Sequence, residues 1–365
     1  MSEWQTFCLK DLGKIVGGAT PSTNNPKNYG NKIAWITPKD LSTLQGRYIK
    51  KGSRSISRLG FKSCSCVLLP KHAILFSSRA PIGYVAIAKK RLCTNQGFKS
   101  IIANKKIYFE FLYYLLKYHK DNISNIGGGT TFKEVSGAAL GLFKVKIPPT
   151  YYEQQKIAHT LSVLDQKIEN NHKINKILHT LAYKIYEYYF KYKPKNTRLE
   201  QIIIENPKSS IMVKNAQKTQ DKYPFFTSGD NTLSYPKAII DGRNCFLNTG
   251  GNAGIKFYVG KASYSTDTWC ICANEFSDYL YLLLSSIKNH INQSFFQGTS
   301  LKHLQKNLLK KYPIYMPSVH EIKKFNQMIM PLLTLVSINT RTSKKLEQVR
   351  DFLLPLLLTQ QVKPK

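Results

Sequence analysis

Six cationic side chains crowd one short stretch: Arg47, Lys50, Lys51, Arg54, Arg58 and Lys62, interleaved with Ser53, Ser55 and Ser57. Lys89-Lys-Arg91 forms a second cluster, and Tyr48, Phe61 and Tyr84 lie among these residues. The chemistry open to such a set is electrostatic. Lys and Arg neutralise phosphates and release counterions, while hydroxyl and backbone N–H groups fix register on a duplex. Base edges in the major groove favour Arg or Lys on guanine and Asn or Gln on adenine. On that chemistry the candidate base readers are Arg54, Arg58, Arg79 and Gln96 in the first half, and Arg243, Asn252 and Lys256 in the second. Lys50, Lys51 and Lys89 are candidate phosphate contacts.

The whole chain shares the bias. Its 365 residues carry 54 Lys plus Arg against 21 Asp plus Glu, a formal charge of +33. That charge directs it to polyanions, nucleic acid before membrane. Apolar runs such as Val67–Leu69 and Val85–Ala88, or Phe352–Leu358 with its Pro355, fall far short of the roughly 20 residues of a spanning helix. No basic segment followed by an apolar one succeeds Met1, so a cytoplasmic protein is expected.

Catalytic chemistry is hard to find. Gly127-Gly-Gly-Thr-Thr131 lacks the Lys of the G-x-x-x-x-G-K-S/T phosphate loop and reads as a tight turn. Ile147-Pro-Pro-Thr-Tyr151 has the prolines of an amino-methyltransferase loop, but Ile stands where a polar residue must receive the amine. A nuclease needs clustered carboxylates for Mg²⁺, and Glu321-Ile-Lys323 has no acidic neighbour. The eight His form no H-E-x-x-H spacing. Seven Cys include no C-x-x-C, and the two C-x-C pairs, Cys64/Cys66 and Cys270/Cys272, sit in strand-like runs as core thiols. No metal site and no catalytic residue are expected.

The elements that must position the cationic residues occur twice. Gly129-Thr-Thr-Phe-Lys133 returns as Gly298-Thr-Ser-Leu-Lys302, and Lys146-Ile-Pro-Pro149 as Tyr315-Met-Pro-Ser318, at one offset. Phe111-Leu-Tyr-Tyr-Leu-Leu116 returns as Tyr279-Leu-Tyr-Leu-Leu-Leu284, and Leu9-Lys-Asp-Leu12 pairs with Leu199-Glu-Gln-Ile202 at a larger offset. The order is collinear, the period is too long for a solenoid, and the shrinking offset makes the second globular part the shorter.

Each part runs into a long helix. Ile157, Leu161, Leu164, Ile168, Ile174, Leu178, Leu181, Ile185 and Tyr188 recur at spacings of mostly three and four, a coiled-coil-like seam with a break at Asn171. From Glu153 to Phe190 such a helix would span roughly 57 Å. The second runs from about Glu321 to Leu358, with Ile322, Phe325, Ile329 and Leu332 starting a seam that Leu346, Val349, Leu353 and Leu356 resume; Pro331 predicts a kink or restart. Strand-like runs such as Ser65–Leu69, Ile74–Ser77, Tyr84–Ala88, Asn244–Asn248 and Thr268–Ala273 make the globular parts mixed α+β.

Local phrases on this frame resemble the specificity subunit of Type I restriction–modification systems. They are Trp35-Ile-Thr-Pro-Lys-Asp40, Ser78-Arg-Ala-Pro-Ile-Gly83, Asn95-Gln-Gly97, Glu153-Gln-Gln-Lys-Ile-Ala158 and Leu181-Ala-Tyr-Lys-Ile-Tyr-Glu-Tyr-Tyr-Phe190. Gly250-Gly-Asn-Ala-Gly254 and the tail Leu353-Leu-Pro-Leu-Leu-Leu-Thr-Gln-Gln-Val362 extend the resemblance along essentially the whole chain. Glu321-Ile-Lys-Lys departs from Glu-Gln-Gln-Lys in the second copy.

The resemblance implies two tandem target recognition domains, residues 1–150 and 196–318, separated by long antiparallel coiled-coil helices, residues 151–195 and 319–365, with pseudo-two-fold duplication. It implies a non-catalytic subunit that reads a bipartite double-stranded DNA target and docks two methyltransferase subunits, joined by restriction/translocase subunits. S-adenosylmethionine, ATP and Mg²⁺ would be used by those partners and none bound by this chain. Docking is expected on Ile157, Leu161, Leu164, Ile168, Leu178, Leu181, Leu346, Val349 and Leu353. The competing readings are an RNA-binding or scaffold protein, which would need base-stacking modules, and, further off, a stand-alone DNA methyltransferase or nuclease.

Overall fold

The computed structural model describes residues 3–129, 133–216 and 222–364. The chain forms two units, Met1–Asn170 with Ser343–Lys365, and Asn171–Thr342.

In the first unit the β-branched runs pair as a five-stranded sheet in the order Gly13–Gly17, Lys99–Ala103, Ile74–Phe76, Val85–Ala88, Tyr48–Ile49. All neighbours are antiparallel except the last pair. A three-stranded sheet centres on Tyr29–Ile36, antiparallel to Arg54–Ile56 and parallel to Cys93–Thr94. The helix Phe109–Tyr118 buries every residue from Phe111 to Leu116, as a helix apolar all round must. Gln5–Cys8 pairs antiparallel with Lys144–Ile147, closing the domain where the chain enters its long helix.

The second unit repeats this topology except for the edge strand Tyr48–Ile49, so its main sheet has four strands. Ile204–Glu205, Thr268–Cys272, Arg243–Asn248 and Ile255–Val259 form an antiparallel sheet. Tyr223–Phe226 is antiparallel to Leu233–Tyr235 and parallel to Ser263–Tyr264. The helix Ser277–Ser286 follows, and Thr197–Arg198 pairs with Pro313–Ile314. The length difference has a location. In the first unit the helix Pro38–Ser42 and the strand Tyr48–Ile49 stand between Tyr29–Ile36 and Arg54–Ile56, whereas a short turn joins Tyr223–Phe226 to Leu233–Tyr235.

The central helix runs Tyr151–Tyr186 and ends in a π-helical turn, Glu187–Lys191; the C-terminal helix runs Val319–Leu358. Within each unit their segments pack antiparallel. Ile157, Ala158 and Leu161 share a core with Leu354, Leu357 and Leu358 in the first unit. Ala182, Tyr186 and Phe190 share one with Ile322, Phe325, Ile329 and Leu333 in the second.

Three expectations about these helices are corrected. Pro331 does not restart the C-terminal helix, which is continuous from Val319 to Leu358; burial of Ile322, Phe325, Ile329 and Leu333 outweighs the ~3 kcal/mol an internal proline costs. The break at Asn171 is a change from apolar to polar packing. Asn339 Nδ2 donates to Asn175 Oδ1 at 2.9 Å, and Asn175 Nδ2 donates to Thr340 Oγ1 at 3.3 Å, the kind of polar seam position that specifies helix register. Finally, the seam of the second unit turns inward through Ala182, Tyr186 and Phe190 rather than through Leu181 and Tyr188, which are exposed. The aromatic side chains reach the domain core, where Phe190 packs on Tyr279 and Phe325.

Two histidines are expected to make the stability of the fold depend on pH. His119 Nδ1 is buried without a partner beside Phe143, and His179 lies against Tyr281. Burial lowers the pKa of both. A base with a depressed folded-state pKa stabilises the fold above its unfolded pKa, and that stability is lost as pH falls below it. The melting temperature is therefore expected to drop as pH falls below about 6.5, with His119→Phe flattening the slope. A flat melting profile through that range would refute the assignment.

Candidate nucleic-acid interface

The first basic stretch divides into exposed and internal members. Arg54 opens the strand Arg54–Ile56, opposite Trp35. Its guanidinium lies 3.9 Å over the ring of Tyr29. Tyr29 meets Trp35 edge-on, Tyr29 O–H donates to the Pro21 carbonyl at 2.9 Å, and Trp35 Nε1–H donates to the Ala19 carbonyl at 3.0 Å. An exposed arginine thus stands on a fixed aromatic platform, which reduces the side-chain entropy given up on binding. Arg58 begins the helix Arg58–Lys62 behind the cap Ser57, which accepts from the Gly60 N–H at 3.0 Å. Gly60 is required there, since a Cβ would lie 2.0 Å from the Asn28 carbonyl oxygen.

Lys50 and Lys51 are exposed on a loop held by Asp40, whose carboxylate accepts from the N–H groups of Ser53 at 2.7 Å and Thr37 at 2.8 Å. Burial raises the Asp40 pKa, and these hydrogen bonds more than offset it, leaving the carboxyl below its usual value. Lys89 and Gln96 are exposed, with the Gln96 amide oxygen bonded by Thr20. Arg79 pairs with Glu134 at 3.3 Å, and Lys99 takes the other oxygen at 3.1 Å. Arg47 is buried altogether. In the turn beyond, Thr130, Thr131 and Phe132 lie outside the described residues.

In the second unit the three expected readers part ways. Asn252 is exposed on the turn between Arg243–Asn248 and Ile255–Val259, its carbonyl held by Asn248 Nδ2 at 3.1 Å. Lys256 Nζ instead donates to the Thr227 carbonyl at 2.6 Å, to the Gly229 carbonyl and to Asn248 Oδ1, so the ammonium pins one loop against another. Burial lowers its pKa. Arg243 forms a fork with Asp278 at 2.5 Å. Asp278 is raised by burial, against the pull of that arginine. Both cations are spent inside the domain.

The same turn gathers two residues not expected as readers. Gly251 N–H donates to the Lys302 carbonyl at 2.9 Å and Leu304 N–H to the Thr249 carbonyl at 2.9 Å, which sets exposed Lys302 and His303 beside Asn252. Gly251, at φ +79°, makes the turn possible. The sequence signal is the repeated Gly-Thr-x-x-Lys phrase, whose recurrence in both halves points to a structural or backbone-contacting role.

The docking residues also divide. Ile157, Leu161 and Ile168 are core, Leu164, Leu178, Leu346 and Leu353 are half-buried, and Leu181 and Val349 are exposed. The outward stripe of the central helix is Ile174, Ile177, Leu181 and Tyr188, the last three 66, 46 and 84 % exposed. Their spacings of three, four and seven keep one helix face. Among the described residues no group of three or more His, Cys, Asp or Glu is placed to hold a metal. No described helix is long and apolar enough to cross a membrane.

The family model described as the Type I restriction modification DNA specificity domain matches this chain twice, over residues 1–179 and 195–348. The MjaIX specificity subunit of Methanocaldococcus jannaschii, a type I restriction enzyme component, is 33% identical over 403 residues, covering 98% of this chain and 93% of that protein. A second protein of the same organism, the putative MjaX specificity subunit, is 38% identical over 157 residues, 43% of this chain and 35% of that one. Among solved structures, the S subunit of a type I restriction–modification system from M. genitalium aligns with a TM-score of 0.63 at 17% identity, covering 97% of this chain and 96% of that one, and so has the same fold.

Proposed function

We propose, from the premise that this chain belongs to the Type I restriction–modification DNA specificity family, that its two repeated domains each read one part of a split DNA target. The single observation that carries the reading is the duplication itself: two basic domains of one strand topology, each closed by a strand pair that feeds a long helix. Two heads borne on helices read two half-sites with an unspecified gap. On one side of the duplex, centres one turn apart correspond to roughly 10 bp.

Arg54, Arg58 and Gln96 are the base readers proposed in the first domain, and Asn252 and Lys302 in the second; Lys50, Lys51 and Lys89 are phosphate contacts. Arg79, paired with the Glu134 carboxylate that Lys99 shares, serves to hold its loop. S-adenosylmethionine, ATP and Mg²⁺ belong to the partner subunits. Co-expression with a methyltransferase subunit and genome-wide mapping of methylated adenines tests the reading. A motif of two short defined parts around a fixed gap is expected; a continuous motif would overturn it.

Methyltransferase subunits dock, on this reading, against the outward stripe Ile174, Ile177 and Leu181, because exposed apolar rows on a helix are partner surfaces. Ile177→Glu combined with Leu181→Glu is expected to weaken that association by at least on the order of a hundredfold, measured by titration, with the melting temperature of the isolated chain unchanged. Native affinity in the double variant would move the docking site elsewhere.

A further inference from the structure

Each globular domain is tied to its long helix by an arginine, buried in the first unit and half-buried in the second. In the first unit Arg47 is 3% exposed. Its Nη1–H donates to Glu110 at 3.2 Å and its Nε–H to Glu169 at 3.2 Å, while Asp165 stands 3.9 Å away. Its own backbone N–H donates to Glu169 at 2.9 Å. The approach needs Gly46, at φ +122°, where a Cβ would lie 3.0 Å from the Glu169 side chain. In the second unit Arg243 grips Asp278 with two N–H groups, donates to Thr334 Oγ1 at 3.0 Å and to the Met330 carbonyl at 3.3 Å.

The acids are counterparts. Glu110 and Asp278 each occupy the second position of the helix that follows the main sheet, Phe109–Tyr118 and Ser277–Ser286. The repeat likewise makes Thr334 the counterpart of Asp165. The arginines are not counterparts: Arg47 comes from the insertion before Tyr48–Ile49, and Arg243 from the start of a sheet strand. Two unrelated positions thus deliver a guanidinium to one place in the fold, between the acid of the inner helix and a polar group of the long helix. Stability alone does not require this, since apolar side chains fill such a place at equal or lower free energy. What the planar, five-donor fork supplies is a fixed direction among several partners.

We infer that Arg47 and Arg243 are positioning residues that hold each DNA-reading domain at a fixed angle on its long helix and thereby restrict the gap accepted between half-sites. The inference rests on the split-target reading. The test uses the full complex with its methyltransferase subunits and duplexes carrying the mapped target with its native gap, or with a gap one base pair shorter or longer. Arg47→Lys and Arg243→Lys keep the charge and lose the fork. Both are expected to lose discrimination against the wrong gaps by on the order of tenfold or more, while still requiring the same bases in both half-sites. A lowered melting temperature with unchanged gap discrimination would make the arginines merely structural and overturn the inference. If the lysine variants fail to assemble, Thr334→Val, which removes a single hydrogen bond, decides by the same ratio. A wild-type complex that methylates no split target would remove the underlying reading instead.

Discussion

Asp165→Ala is expected to destabilise the N-terminal unit by about 3–5 kcal/mol, a large part of the 5–15 kcal/mol typical of a whole domain. Asp165 is buried, yet its carboxylate meets Arg350 at 2.7 Å, Arg47 at 3.9 Å and the hydroxyl of Tyr114 at 2.6 Å. Removing it leaves two guanidinium groups and a phenol in a place that water reaches poorly. Burial disfavours the charged form of Arg350, and Asp165 with Asp351 more than offsets it. Chemical unfolding of the variant measures the loss; a change under about 1 kcal/mol would mean that the network is as weak as a surface pair. The contrast is Glu187, which joins Lys184 and Lys191 on the exposed face of the same helix. There Glu187→Gln is expected to leave stability unchanged.

Arg54→Ala with Arg58→Ala is expected to relax one half of the DNA motif and leave the other intact. Each bidentate arginine–guanine contact discriminates by about 1–3 kcal/mol, so the pair lowers methylation of the native target by roughly 30- to 10⁴-fold. Mapping methylated adenines in cells carrying the variant reads this directly. Equal loss at both halves would mean that the arginines act as general phosphate contacts, or that the domains do not read separately. Lys89→Ala provides the comparison: taking one cation off a phosphate should weaken binding to all sequences alike and reduce the salt dependence by about one ion.

The large features are legible along the chain because they are written in local or repeated terms. Charge is a sum over residues, so a polyanion partner follows from counting. A long helix follows from apolar spacing of three and four, and Tyr151–Tyr186 and Val319–Leu358 lie where that spacing placed them. The duplication follows from collinear phrases, and the strand orders repeat it.

Which side chains are free is settled only by folding. Arg47, Arg243 and Lys256 read as solvent-facing cations beside Arg54 and Asn252, and nothing in their neighbours along the chain says otherwise. Their partners, Glu110, Asp278 and Thr227, are distant in sequence. The face each helix turns inward was equally hidden: Leu181 and Ala182 differ by one position, and the larger apolar residue is the exposed one. Spacing defines an apolar stripe only to within the width of a helix face. The rotation that selects its centre is set by the volume of the facing core, here Tyr186 and Phe190 packing against Tyr279 and Phe325. Close packing is a property of pairs far apart in the chain, and that is the information a linear reading lacks.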